Sequence, residues 1–202
     1  MKHDYTSNKS QRKTVITIIT IISLLLNCML APAVNAMLDV LSDNITPYLY
    51  PFIILLGVGF SVFFGILYIF FDRVLWKLIP GMKVQNLNGV YECKGISSHV
   101  SKSWEGIFKI KQTWSKIYIS LQTDSSTSKS FMANINVDDN GTVILYYCYR
   151  NDPNGTVEGL KKHEGTSEII FDGNSISGKY YNYPLDRQNH GTLSLTREDK
   201  KK

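Results

Sequence analysis

Between Asp43 and Asp72 the chain carries no charge, and residues 48–71 read "YLYPFIILLGVGFSVFFGILYIFF", an apolar run of 24 residues. A helix of that length reaches across the roughly 30 Å hydrocarbon core of a bilayer. This run commits the chain to a membrane more firmly than any other feature. A second charge-free run, "TVITIITIISLLLNCMLAPAV", lies upstream and is also long enough to span, although Asn27 and several threonines weaken it. Its surroundings fit a rival reading as well. Basic residues, an apolar stretch and "VNA" ending at Ala36 describe a cleavable signal peptide.

Flanking charge sets orientation. Lys2, Lys9, Arg12 and Lys13 precede the first run, only Asp39 and Asp43 lie between the runs, and Arg73, Lys77 and Lys83 follow the second. The positive-inside rule then places the amino-terminal tail and everything after the second span in the cytoplasm. Within the second span Gly57, Ser61 and Gly65 recur every four residues, a small-residue face that lets helices approach closely and self-associate. The net charge of +5 is concentrated at the chain ends and beside the apolar runs, so it speaks for topology and solubility, not for a nucleic acid polymer. Cys28, Cys93 and Cys148 show neither a metal-ligand spacing nor a disulfide framework.

After residue 85 the pattern changes to strict alternation, and no long amphipathic helix can be drawn. Eight strands are expected, at about 88–97, 104–113, 116–123, 128–137, 142–151, 162–171, 175–183 and 190–197. "DDNG", "RNDPNG" and "FDGN" supply turns between them. Eight consecutive antiparallel strands leave no open edge if they close into an up-and-down barrel of the lipocalin or avidin kind. The fold class expected is therefore membrane-anchored all-β, with two amino-terminal transmembrane helices followed by a small eight-stranded β-barrel.

The barrel can be oriented from the same pattern. "TVILYYCYRNDP" puts Val143, Leu145, Tyr147, Tyr149 and Asn151 on one face, apolar at its start and polar-aromatic at its end. Laying the strands up and down gathers Trp104, Thr123, Ser126, Ser128, Tyr149, Asn151, His163, Tyr180, Asn182, Arg187 and His190 at one rim, with Tyr147 just below. The opposite end collects Ile117, Val137, Val143, Phe171, Ile176 and Leu195. The result is a cup with an apolar floor and a polar mouth.

Hydroxyls, amides, stacking rings and Arg187 suit a nucleobase and a phosphate, and would suit other polar ligands too. An apolar ligand resting on the floor, in a membrane-anchored lipocalin-like module, is a second reading. An enzyme is a poor one: His163 and His190 have no acidic orienter, and no nucleophile elbow, metal spacing or phosphate-binding loop accompanies Ser126 or Ser128.

The chain resembles the CD-NTase-associated effectors of the bacterial anti-phage system CBASS that carry two transmembrane helices and a β-strand-rich domain. The likeness rests on the membrane hairpin followed in order by "LNGVYECKGISS", "WEGIFKIKQTWSKIYISLQTDSSTSKSFMANI", "LYYCYRNDP", "KKHEGTSEIIF" and "ISGKYYNYPLDRQNHGTLSL". Tyr91 departs from it, standing where a tryptophan is expected. The resemblance implies a barrel that binds a cyclic dinucleotide made by a CD-NTase, then self-association, disruption of the inner membrane lipid and abortive infection. No catalysis and no cofactor beyond the nucleotide ligand are implied. The expected order is a cytoplasmic tail at 1–13, spans at 14–35 and 48–71 around a periplasmic loop at 36–47, a linker at 72–85, the barrel at 86–198 and a basic tail at 199–202. The expected ligand contacts are Trp104, Thr123, Ser126, Ser128, Tyr147, Tyr149, Asn151, His163, Tyr180 and Arg187, taken from strand geometry.

Overall fold

The computed structural model describes residues 2–7, 9–42, 59–80, 82, 84–98, 103–155, 161–173, 175–182 and 189–198. The chain divides into two compact units, Lys9–Pro80 and a second made of Met1–Asn8 with Gly81–Lys202.

The first unit is helical. Helix α1 (Lys9–Ser42) contains a stretch, Ser10–Leu30, of mean hydropathy 2.0 that is long and apolar enough to cross a membrane. Its polar residues do not contradict that. The hydroxyls of Thr14, Thr17, Thr20 and Ser23 donate to the carbonyls of Ser10, Lys13, Ile16 and Ile19, at 2.6–3.2 Å. Satisfied within the helix, they would present little unmet polarity to a bilayer. Pro32 removes one N–H from the ladder, yet the helix runs on past Ala36 to Ser42, through residues that the sequence pattern gave to a connecting loop. Helix α2 (Phe60–Arg73) forms the second half of the 48–71 run and packs with α1. The first half of that run, with Gly57, lies outside the described residues.

The second unit is the expected barrel. Its strands are β2 (Gly89–Ser97), β3 (Ser103–Gln112), β4 (Lys116–Thr123), β5 (Ser126–Val137), β6 (Val143–Pro153), β7 (His163–Asp172), β8 (Ser175–Asn182) and β9 (Asn189–Arg197). All eight expected strands are present, with ends shifted by two residues at most. Each pairs antiparallel with its neighbour in sequence, and β9 pairs with β2 to close the cylinder. The turns follow their chemistry. Asp138 Oδ1 accepts from the N–H groups of Asn140 and Thr142, with Gly141 at φ +85° completing the reversal.

The inward face behaves as the alternation requires. Phe108, Ile117, Leu145 and Ile169 are fully buried, and Ile110, Ile119, Ile135, Leu193 and Leu195 nearly so. Each such side chain contributes about 1.5–3 kcal/mol relative to exposure. At the floor Tyr91 meets Phe108 and Phe171 edge-on, with ring centroids 6.3 and 6.2 Å away, and its hydroxyl donates to the Leu87 carbonyl. Gln112 ties the incoming chain down: its side-chain oxygen accepts from Leu87 N–H, and its amide nitrogen donates to the Gln85 carbonyl and the Tyr5 hydroxyl.

That last contact belongs to a strand the sequence pattern does not announce. β1 (His3–Asp4) lies in the seam between β4 and β5, pairing with Lys116 and Ile117, while Thr6 bridges to Asn134 on the other side. Tyr5 between them is buried. Two residues carry no readable period, so only the folded chain reveals this element.

Candidate functional site

The mouth is built by the ends of β2, β4, β6 and β8 and the beginnings of β3, β5, β7 and β9, so residues far apart in sequence converge. On β6 the inward row Val143, Leu145, Tyr147, Tyr149 and Asn151 is buried throughout and changes from apolar to polar as it rises. It opens into a cavity of about 650 Å³. Trp104, Thr123, Ser126, Ser128, Tyr147, Tyr149, Asn151, His163 and Tyr180 all line this cavity, as the strand geometry predicts. Arg187 lies outside the described residues. His190 turns to the outer wall, where its ring lies 6.4 Å from that of Tyr181. The small-residue face of the 48–71 run is half in view: Ser61 and Gly65 sit on α2.

Three of the mouth aromatics share a device. Trp104 stands directly across from Gly95, Tyr149 from Gly165, and Tyr180 from Gly191. In each case the ring lies over the glycine of the neighbouring strand. A Cβ added at Gly95 would fall 2.2 Å from the Trp104 ring, one at Gly165 2.5 Å from that of Tyr149, and one at Gly191 2.5 Å from that of Tyr180. Cross-strand neighbours on one face stand only about 5 Å apart, so a missing side chain gives its partner room to lie flat. The rings therefore cover the wall without filling the lumen. Trp104 meets Tyr180 edge-on at 5.9 Å, and its indole N–H donates to the Tyr180 hydroxyl at 3.3 Å.

The polar groups are ordered among themselves. Ser128 donates to Asn151 Oδ1 at 2.8 Å. His163 Nδ1 lies 2.9 Å from the Lys161 carbonyl and Nε2 lies 3.1 Å from the Asn182 amide nitrogen. Both ring nitrogens of His163 are thus engaged, one by a main-chain carbonyl and one by a side-chain amide. Asn182 Oδ1 is left buried with no partner among the described residues, an acceptor at the cavity wall. Thr123 Oγ1 accepts from Ser126 N–H and closes the β4–β5 hairpin. Asn154 then straps that hairpin, donating to the carbonyls of Asp124 and Ser125.

Sequence reasoning missed part of the lining. Ser97, Ser103, Asp124, Ser125 and Asn189 join the wall, and Leu121 and Leu193 form its base. Strand-end position was the available signal for the polar ones. Among the described residues no lysine or arginine lines the cavity, and its acids are Glu105, ion-paired with Lys94 at 3.2 Å, and Asp124. Arg150 does not contribute, since it faces outward to Glu164 at 2.6 Å.

Burial governs ionisation here. It pushes the Tyr149 phenol up to about 12, against a smaller lowering by the Asn182 amide, and it raises Tyr147 above its ordinary range. It also raises Tyr91, and pushes the Cys93 thiol up to about 12. These groups stay neutral at physiological pH. In the unfolded chain the tyrosines lose their protons near pH 10, so above that pH the unfolded state binds fewer protons and stability falls. The tyrosine contribution should be intact below pH 10 and fall above it, the part due to Tyr149 being lost between pH 10 and 12. Tyr149 alone accounts for about 2–3 kcal/mol of that loss. Thermal midpoints taken at pH 8 and pH 11.5 should show the drop, and Tyr149→Phe should shrink it. An equal drop in that variant would place the alkaline sensitivity elsewhere.

A family model described as Cap15, cyclic dinucleotide receptor domain, matches residues 82–197. CD-NTase-associated protein 15 of Yersinia aleksiciae is 39% identical over 137 residues, covering 65% of this chain and 65% of that protein. The protein of the same name from Staphylococcus schleiferi is 38% identical over 74 residues, covering 36% of this chain and 40% of its own length. The chain thus spans less than two thirds of the curated relatives it matches.

Proposed function

This chain belongs to the Cap15 family of CBASS effectors through a cyclic dinucleotide receptor domain at residues 82–197, and from that we propose that its mouth is the nucleotide site and its helices the effector. One observation carries the site: three aromatic rings seated on cross-strand glycines frame a cavity of about 650 Å³ whose remaining wall is largely hydroxyl and amide. Flat rings and neutral donors and acceptors match the faces and edges of nucleobases. The phosphates need a cation, and Arg187 is assigned that part. The apolar-ligand reading loses its main support, because the floor is filled by Tyr91, Phe108 and Phe171.

The proposed sequence of events is non-enzymatic. A cyclic dinucleotide made by a CD-NTase fills the mouth, the protein self-associates in the bacterial inner membrane, and the membrane is disrupted, ending infection with the host cell. The hydrogen bonds already made at the mouth favour a receptor, since Ser128 is committed to Asn151 and His163 to Asn182.

The barrel wall also bears on topology. Residues 3–6 and strands β2–β9 belong to one β-structure, so both lie on one side of any membrane. The chain between them must cross an even number of times. Two crossings, one in α1 and one in the 48–71 run, satisfy that condition. Cleavage at Ala36 would instead remove a piece of the wall, which argues for retention of the first span.

Calorimetry of the full chain against cyclic di-AMP, cyclic di-GMP and cyclic GMP–AMP tests the site. Arg187→Ala should weaken binding about tenfold or more through loss of a charge-assisted bond. Tyr149→Ala should lose about 1–3 kcal/mol of stacking. Unchanged affinity in both would move the site off the mouth.

A further inference from the structure

The two strands that carry the mouth hairpin are only half zipped. β4 and β5 pair at Gln122–Thr127, Leu121–Ser128 and Ser120–Lys129, just below the rim, and then part. Below that point each edge takes its partner from residues 2–7. His3 and Asp4 pair with Ile117 and Lys116 of β4, Thr6 N–H donates to the Ala133 carbonyl, and Ile135 N–H donates to the Thr6 carbonyl. The inserted segment runs antiparallel to β4 and parallel to β5, from mid-wall toward the floor, and leads directly into α1.

The fork itself shows an alternative pairing held open. The next step of the β4–β5 ladder would join Ile119 to Ser130. Instead Ile119 N–H donates to the Ser130 hydroxyl at 2.9 Å, and His3 Nε2 sits 2.7 Å from that same oxygen. Phe131 and Met132, at the bulge beside the fork, are turned outward and exposed. Extending the ladder would exchange main-chain bonds to residues 3–6 for bonds between β4 and β5. The two closures are thus near equivalents in main-chain hydrogen bonding, and expelling the peptide also gives up the burial of Tyr5, its bonds to the Thr113 carbonyl and the Gln112 amide, and the His3–Ser130 contact. The upper end of the same two strands, Thr123–Ser128, lines the nucleotide cavity.

We propose that the β4–β5 seam is a releasable strand-docking site whose ligand is the extended peptide of residues 2–7. With the mouth empty, the peptide fills the seam. A ligand that grips the hairpin at Thr123–Ser128 favours further pairing of β4 with β5, and the peptide of residues 2–7 is expelled from the barrel wall. A ligand shifts such an equilibrium only by binding one arrangement better, and the shared strands provide that preference. The proposal rests on the mouth being the ligand site and on self-association being the response.

Asp4 and Lys116 are direct antiparallel partners and both are exposed. Their Cα atoms fall within disulfide range. The full chain carrying Asp4→Cys and Lys116→Cys, with Cys28→Ser and Cys148→Ser, should when oxidised bind nucleotide more weakly than when reduced and fail to self-associate, and reduction should restore both affinity and assembly. Conversely Tyr5→Asp, which places a charge in the buried seam, should self-associate with no nucleotide present. Thr6→Pro, which deletes the bond to Ala133 and leaves Tyr5 in place, should do the same. Light scattering in detergent reads all of these. Release variants that keep the parent's oligomeric state, or an oxidised lock that still assembles, overturn the proposal. The release arm uses no nucleotide, so failure of the wild-type chain to bind cyclic dinucleotides would end the reading of the mouth without deciding the seam.

Discussion

Gly95→Ala protein should fold normally and bind cyclic dinucleotides about 100-fold more weakly, a loss of roughly 2.7 kcal/mol. The three atoms nearest an added methyl at this position, at 2.2–2.8 Å, all belong to the Trp104 ring. The side chain can therefore move where a main chain could not. It does so by swinging off the wall, which breaks its bond to the Tyr180 hydroxyl and puts the indole where the ligand belongs. Gly191→Ala makes a useful contrast, because its methyl would meet the Ile96 carbonyl at 2.3 Å as well as the Tyr180 ring. That variant should lose about 1–3 kcal/mol of stability in addition to affinity. Calorimetry and thermal unfolding on both proteins separate the effects. Wild-type affinity in the Gly95→Ala protein would show that the Trp104 wall is not in the ligand's path.

Substituting Gly57→Leu together with Gly65→Leu should leave nucleotide affinity unchanged and abolish killing. A Cβ built on Gly65 has nothing within 4 Å, so the described chain itself has no need of a small residue there. If the face is small because another copy's helix approaches it, a leucine blocks that approach while the monomer folds as before. Co-expression with a cyclic dinucleotide synthase, followed by growth and dye entry, gives the readout. Dye entry equal to wild type would remove this face from the mechanism and leave the helices associating by another surface.

Strand register explains why these two predictions had different origins. The Gly57, Ser61 and Gly65 face could be drawn from spacing alone, since a helix places residues four apart on one side by its own geometry. Gly95, Gly165 and Gly191 carry no such signal. Each becomes meaningful only when a particular aromatic stands opposite, and that depends on turn lengths and on the bulge in β5.

The sequence by itself determined the barrel and its polarity. Alternation is enforced by the pleat, which sends successive side chains to opposite faces whatever the strand pairs with. Chain direction then put the polar ends of eight strands at one rim, and Trp104, Thr123, Ser126, Ser128, Tyr147, Tyr149, Asn151, His163 and Tyr180 line one cavity there. Tertiary structure alone decided the rest. The glycine seats required register across strands, and the continuation of α1 to Ser42 required the helix to carry Pro32 without breaking. The seam required most of all. His3 and Asp4 are a strand only because Lys116 and Ile117, more than 110 residues away, offer an unpaired edge where β4 leaves β5. An edge is a property of the closed sheet, with no residue pattern of its own, and so nothing in "MKHDYTS" announces the peptide that fills it.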